Sequence, residues 1–182
     1  MAGVWQLETG RVWLRPWNAG EDVPFRRLTQ DARVMRHISN GQPWTEQQTH
    51  EFIERQRAGF ATRGYCLWKL VVKENEELAG MCGLQPLVNT PVIEIGWWLA
   101  PEYWGKGLAS EAARCVLGCG FTKFQLHEIV AVALPENRAS LRVMEKLGMR
   151  DTGCITHKGF EVVRYAITRA EFERTRGANA SK

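Results

Sequence analysis

The sequence predicts one α/β (α+β) domain, a mixed sheet with helices on its faces, and three observations carry that prediction. The chain has 182 residues, enough to bury a core without disulfides or metals and too few for a second domain of ordinary size. Short β-rich runs alternate with helical segments along its length, with no internal repeat. A strand, a glycine-bearing loop and a helix follow one another directly over 92–113.

The elements read as follows. Alternation over 11–15 predicts a first strand, ended by Pro16 and the turn-forming stretch 18–20. Residues 21–37 carry Phe25, Leu28 and Val34 at broken helical spacing, and Thr45 is an N-cap for a helix over 46–57. Runs at 66–72 and 78–84 form a hairpin across the polar turn 73–77, and 92–99 is a further strand. A helix over 109–121 contains Gly118 and Gly120, which weaken its end. The apolar run 128–132 is a strand, 139–147 is a helix closed by Gly148, and 150–156 and 160–167 flank a turn at Lys158 and Gly159. The domain covers 1–173, and 174–182 reads as a mobile polar tail.

Composition narrows the partners. The five cysteines are odd in number and contain no CxxC pair, which argues against a disulfide framework or zinc ribbon and for a reducing cytoplasm. Cys115 and Cys119 are one helical turn apart, but with four scattered histidines and no HExxH they read as small core side chains, so no metal is expected. The net charge of +4 is spread along the chain, favouring an anionic ligand weakly and a nucleic-acid partner not at all. No apolar run approaches a membrane span and the N-terminus carries no targeting pattern, so no membrane partner is expected.

The chemistry is concentrated in two segments. Gly105 and Gly107 free the backbone to aim amides at an anion, and the open helix start behind them adds to that field. An isolated GxG is more often only a tight turn. A Walker loop is absent, and a dinucleotide fingerprint would need a third glycine where Ser110 stands. The second segment, Asn137-Arg-Ala-Ser-Leu-Arg-Val-Met-Glu-Lys-Leu-Gly-Met149, follows a later strand. With Trp104-Gly-Lys-Gly-Leu-Ala109 it resembles the GNAT superfamily of N-acetyltransferases, whose loop reads Q/R-x-x-G-x-G/A. The string Tyr103-Trp-Gly-Lys-Gly-Leu-Ala109 is similar to the Rim-type branch, which acetylates ribosomal-protein N-termini, although Trp104 replaces the family's usual Gln or Arg. The likeness spans about 11–172, most of the chain.

That resemblance implies a mostly antiparallel sheet of about seven strands, opened between 92–99 and 128–132, with acetyl-CoA as co-substrate. It implies that the backbone of Trp98 and Leu99 pairs with the pantetheine arm. The amides of Trp104, Gly105, Lys106, Gly107, Leu108, Ala109 and Ser110 would hold the pyrophosphate. Asn137 would meet the arm near the thiol, and a helix N-cap is its other reading. Many members protonate the departing thiolate with a helix tyrosine, but Met144 stands there; Ser140 resembles the serine of Rim-type enzymes, its plain alternative being local hydrogen bonding.

Strand alternation puts Glu94 with Gly96 and Trp98 on one face, which makes Glu94 the candidate base for the arriving amine; the alternative is an ordinary paired strand glutamate. Trp44, in the loop between the first helices, is the candidate substrate contact. The favoured acceptor is a protein or peptide N-terminus. A small amine such as an aminoglycoside or polyamine is the second reading, and an inactive acyl-CoA-binding regulator the third. The pattern is compatible with a homodimer and does not select one.

Overall fold

The computed structural model describes residues 5–180. Two short strands open it, β1 (Leu7–Glu8) and β2 (Val12–Arg15). The broken apolar spacing that follows resolves into two helices, α1 (Asp22–Thr29) and α2 (Ala32–Met35). The break falls at Asp31, whose extended backbone leaves the helical path and whose carboxylate caps α2 by accepting from the Arg33 N–H. Helix α3 (Glu46–Arg63) runs past the predicted end at 57; Thr45 and Gln48 form a reciprocal capping box at its start.

The hairpin forms as expected, with β3 (Leu67–Val72) and β4 (Leu78–Pro86), followed by β5 (Ile93–Leu99) and a 3₁₀ turn over Pro101–Tyr103. Then come α4 (Leu108–Thr122), β6 (Glu128–Ala133), α5 (Arg138–Lys146), β7 (Arg150–His157), β8 (Phe160–Thr168) and α6 (Arg169–Ala180).

The eight strands form one sheet in the order β1-β2-β3-β4-β5-β6-β8-β7, against about seven expected; the added strand is β1, too short to show a period. All neighbours pair antiparallel except β5 and β6, which run parallel. These two share a single register point, Glu94 opposite Val130. Beyond it Gly96–Leu99 and Val132–Leu134 line opposite walls of a cleft.

Helix α4 lays Ala112, Ala113, Val116 and Leu117 fully buried against the sheet. On the other face, Phe25 of α1 and Phe52 of α3 stack on Trp98 of β5, with ring centroids 6.3 Å and 5.3 Å apart. Phe25, Leu28 and Trp68 have no exposed surface, and each such side chain contributes about 1.5–3 kcal/mol of transfer free energy. Cys119 is buried, which pushes its thiol up to about 11, while the half-buried Cys115 contacts the Glu8 carbonyl.

The segment expected as a tail is helical in backbone to Ala180, with 181–182 outside the described residues. A second capping box explains its start: the Glu171 N–H donates to the Thr168 hydroxyl and the Thr168 N–H donates to the Glu171 carboxylate. No helix of the described residues is long and apolar enough to cross a membrane.

The β3–β4 approach depends on Gly83, where a Cβ would lie 2.0 Å from the Cys66 carbonyl oxygen and 2.7 Å from the Leu67 Cα. Backbone cannot yield as a flexible side chain does. Gly83→Ala is expected to cost about 2–3 kcal/mol and to lower the melting temperature by roughly 5–10 °C, read by calorimetry.

Candidate active site

The site begins with backbone groups that the sheet leaves open. Leu87 N–H donates to the Val92 carbonyl and Ala100 N–H to the Ala79 carbonyl. The antiparallel ladder alternates between these two points, so Glu94, Gly96 and Trp98 exchange bonds with β4. The N–H and C=O groups of Trp97 and Leu99 therefore point the other way, toward β6, where the parallel partner has already turned aside. The expected backbone pair was Trp98 and Leu99. The register ties the Trp98 backbone to Met81 and puts Trp97 in its place at the open edge. The Leu99 carbonyl accepts from the Trp104 indole N–H at 2.7 Å, although the ring itself is 49% exposed.

The loop after β5 turns on Gly105 and Gly107, whose φ angles of +72° and +78° lie in the left-handed region. Gly107 is the N-cap of α4 and supplies no capping side chain, so the first N–H groups of Leu108, Ala109 and Ser110 remain open. A Cβ at Gly105 would meet nothing within 4 Å, which marks open space beside the loop. Lys106 turns its ammonium over the Tyr103 ring, 5.4 Å from its centroid, and lies outside the cleft lining.

The loop is braced from a distance. Arg11, at the β1–β2 turn, donates to the Lys106 carbonyl at 2.9 Å and pairs with the Glu111 carboxylate at 2.6 Å. Glu111 also accepts from the Thr9 hydroxyl and the Arg11 N–H. Partial burial would raise the Glu111 carboxyl, but these partners outweigh it and hold the group below the ordinary carboxylate range. A carboxylate in the first turn of α4 also suits the helix dipole. Sequence reading missed this clamp, since nothing local links Arg11 to Glu111.

The cleft encloses about 970 Å³. Glu94 lies on its floor, 7% exposed, and accepts from the Gln85 amide at 2.7 Å. Burial pushes its carboxyl up, opposed by that hydrogen bond and by the positive charge of Lys158. Ser140 and Asn137 line the wall formed by α5. The Asn137 side-chain oxygen accepts from the Ser140 N–H at 3.2 Å, so it does cap the helix, and its amide Nδ2 is left over for a ligand. Met144 is buried below them. Trp44 is not among the lining residues; it packs edge-on against Trp98 with centroids 5.2 Å apart and backs the wall from behind.

An open strand edge, a nest of helix-start amides and a buried carboxylate in one cleft suit an extended, anionic acyl carrier and an acceptor that must lose a proton. The family model for the acetyltransferase (GNAT) domain matches residues 11–150, and the chain belongs to that family as an N-acetyltransferase. It is 32% identical over 147 residues to the uncharacterized N-acetyltransferase YnaD of Bacillus subtilis (strain 168), covering 81% of this chain and 84% of YnaD. Spermidine N(1)-acetyltransferase of Escherichia coli (strain K12) is 29% identical over 152 residues, covering 82% of this chain and 78% of that protein. A GNAT-family acetyltransferase from Bacillus anthracis, of known crystal structure, matches with a TM-score of 0.77 at 30% identity, over 90% of this chain and 98% of that one.

Removing the brace tests its role. Arg11→Ala is expected to weaken acetyl-CoA binding at least threefold, on the order of 1 kcal/mol, by freeing the Lys106 carbonyl and the loop. Because Arg11 is largely exposed, the melting temperature should barely move. Titration calorimetry beside a thermal melt reads both.

Proposed function

We propose that this enzyme transfers the acetyl group of acetyl-CoA to the α-amine of a protein or peptide by direct attack in a ternary complex, as in the Rim-type branch. The donor set fits acetyl-CoA: helix-start amides for a pyrophosphate, the Trp97 and Leu99 edge for an amide-bearing arm, and Arg138, Arg142 and Lys146 along the same wall for further phosphate. The Asn137 Nδ2 can donate to that arm.

When bound, acetyl-CoA supplies the thioester carbon that is attacked. The chain's own groups do the rest. Glu94 accepts the proton of the arriving amine, directly or through a water, and its burial raises its proton affinity for that task. An N–H on the open edge of β5 donates to the carbonyl oxygen as charge develops there. Ser140 donates its hydroxyl proton toward the sulfur that departs. Proton help is worth roughly 10²–10⁴-fold, whereas holding amine and thioester together supplies effective molarities of about 10⁵–10⁸ M, so positioning dominates.

The observation that favours a peptide over a polyamine is where the nearby acids are spent. Asp31 pairs with Arg33, Glu46 with Arg26 and Glu54 with Arg57, while Glu51 accepts from Gln47. No acidic pocket for a polycation forms from them. The spermidine-acetylating relative keeps the polyamine as the second reading. The described cysteines are free thiols, in keeping with a cytoplasmic setting.

Two variants test the roles. With Glu94 as base, kcat/KM should rise with pH through a value above the ordinary carboxylate 4.5, because only the ionised form accepts the proton. Glu94→Gln should lower turnover about 100-fold and erase that acid limb, with acetyl-CoA binding kept. Ser140→Ala should slow turnover about tenfold or more. Wild-type turnover and an unchanged pH profile in either variant remove that residue from the chemistry, and acetyl-CoA binding without acetylation of any amine contradicts the transferase reading.

A further inference from the structure

The positive charge of the cleft does not lie only where a phosphate-bearing carrier would sit. Its lining holds six Lys and Arg residues against two carboxylates, Glu94 and Glu136. They divide by the face of the sheet. Arg138, Arg142 and Lys146 ride on α5, which packs beside α4 and the open amides of the loop. Arg33 and Arg36 come from the α2 region, on the face where α1 covers Trp98, and that is the face Glu94 shares. Lys158 enters from the β7–β8 turn, close enough to Glu94 to act on its charge.

On this second face Arg33 is neutralised by Asp31, but the Arg36 and Lys158 side chains have no salt bridge or hydrogen bond among the described residues. His37 and His157 stand beside them in the lining. Lys158 stands on backbone that side chains seldom adopt, and Arg36 ends the helical path of α2 just before a tight reversal. Lys158 and Gly159 have φ of 52° and 82°, the geometry of a two-residue hairpin turn for which Asn-Gly would be the relaxed choice. After Arg36 the chain folds back through Ser39 at φ 54° and Gly41 at φ 77°, with Gly41 N–H donating to the Ile38 carbonyl. A pair of cations without salt bridges here repels an arriving ammonium and lowers its pKa, which helps an α-amine become neutral but weakens binding of any acceptor that is itself cationic.

We infer that the acceptor is a peptide whose first residues after the α-amine are acidic, their carboxylates held by Arg36 and Lys158 from the two walls of the cleft. This rests on the peptide reading above. The carboxylates supply the counter-charge that the walls lack, while the amine between them faces Glu94. A polyamine brings only further positive charge to the same place.

The test is an acetylation rate series on the intact enzyme with three decapeptides that differ only at positions two to four, carrying Asp, Gln or Lys there. Glutamate and spermidine run in parallel. The Asp peptide should exceed the Gln peptide at least tenfold in kcat/KM, with the Lys peptide lowest, and the spread should shrink as salt rises. Arg36→Glu with Lys158→Glu should invert the order while calorimetry shows acetyl-CoA still bound; Lys158→Gln alone should narrow it. Equal rates for the three peptides, or preference for Lys, overturn the inference and leave the peptide reading standing. If no peptide reacts, the peptide reading fails. The inference, which rests on that reading, then falls with it, whichever of glutamate and spermidine reacts.

Discussion

A parallel pair of strands that stay together for only one register point leaves hydrogen-bonding groups with nowhere to go. At Glu94 and Val130 the sheet is still closed; past it, the N–H and C=O groups of Trp97 and Leu99 face a gap. Buried backbone groups rarely go unpaired, so this edge must be met by water or by a ligand. The Trp104 indole meets one of the carbonyls from the rim. Everything else in the site is arranged about that gap. Helix α4 starts beside it with its amides open, α5 forms its far wall, and Glu94 sits at the apex where the strands part.

Much of this was legible in the sequence because the signals are local. Glycines two apart after a strand, followed by a helical run, report a loop that turns through left-handed φ, and the structure has both there. The break inside 21–37 was visible as faulty spacing, although its cause, Asp31 restarting a helix, became plain only with the capping geometry. Alternation in β5 correctly placed Glu94 and Trp98 on one face, because side-chain direction has a period of two.

What escaped the sequence is what depends on distance. Alternation says which way a side chain points but not which strand its backbone bonds to, so the choice between Trp97 and Trp98 waited for the β4–β5 register. The Arg11–Glu111 clamp spans 100 residues of chain and joins two ordinary surface charges. Trp44 lies in the expected loop, yet its ring is drawn behind Trp98 by the aromatic cluster of α1 and α3. Strand β1 and helix α6 gave little periodic pattern to read: one is two residues long, and the other follows directly on β8.

We propose that the open edge of β5 and the start of α4 together receive the acyl carrier. Amide hydrogen exchange with and without acetyl-CoA addresses it residue by residue. Acetyl-CoA is expected to slow exchange at the amides of Trp97, Leu99 and 105–110, and to leave Trp98, already bonded within the sheet, unchanged. Protection confined to other surfaces, with those amides exchanging as before, would contradict it.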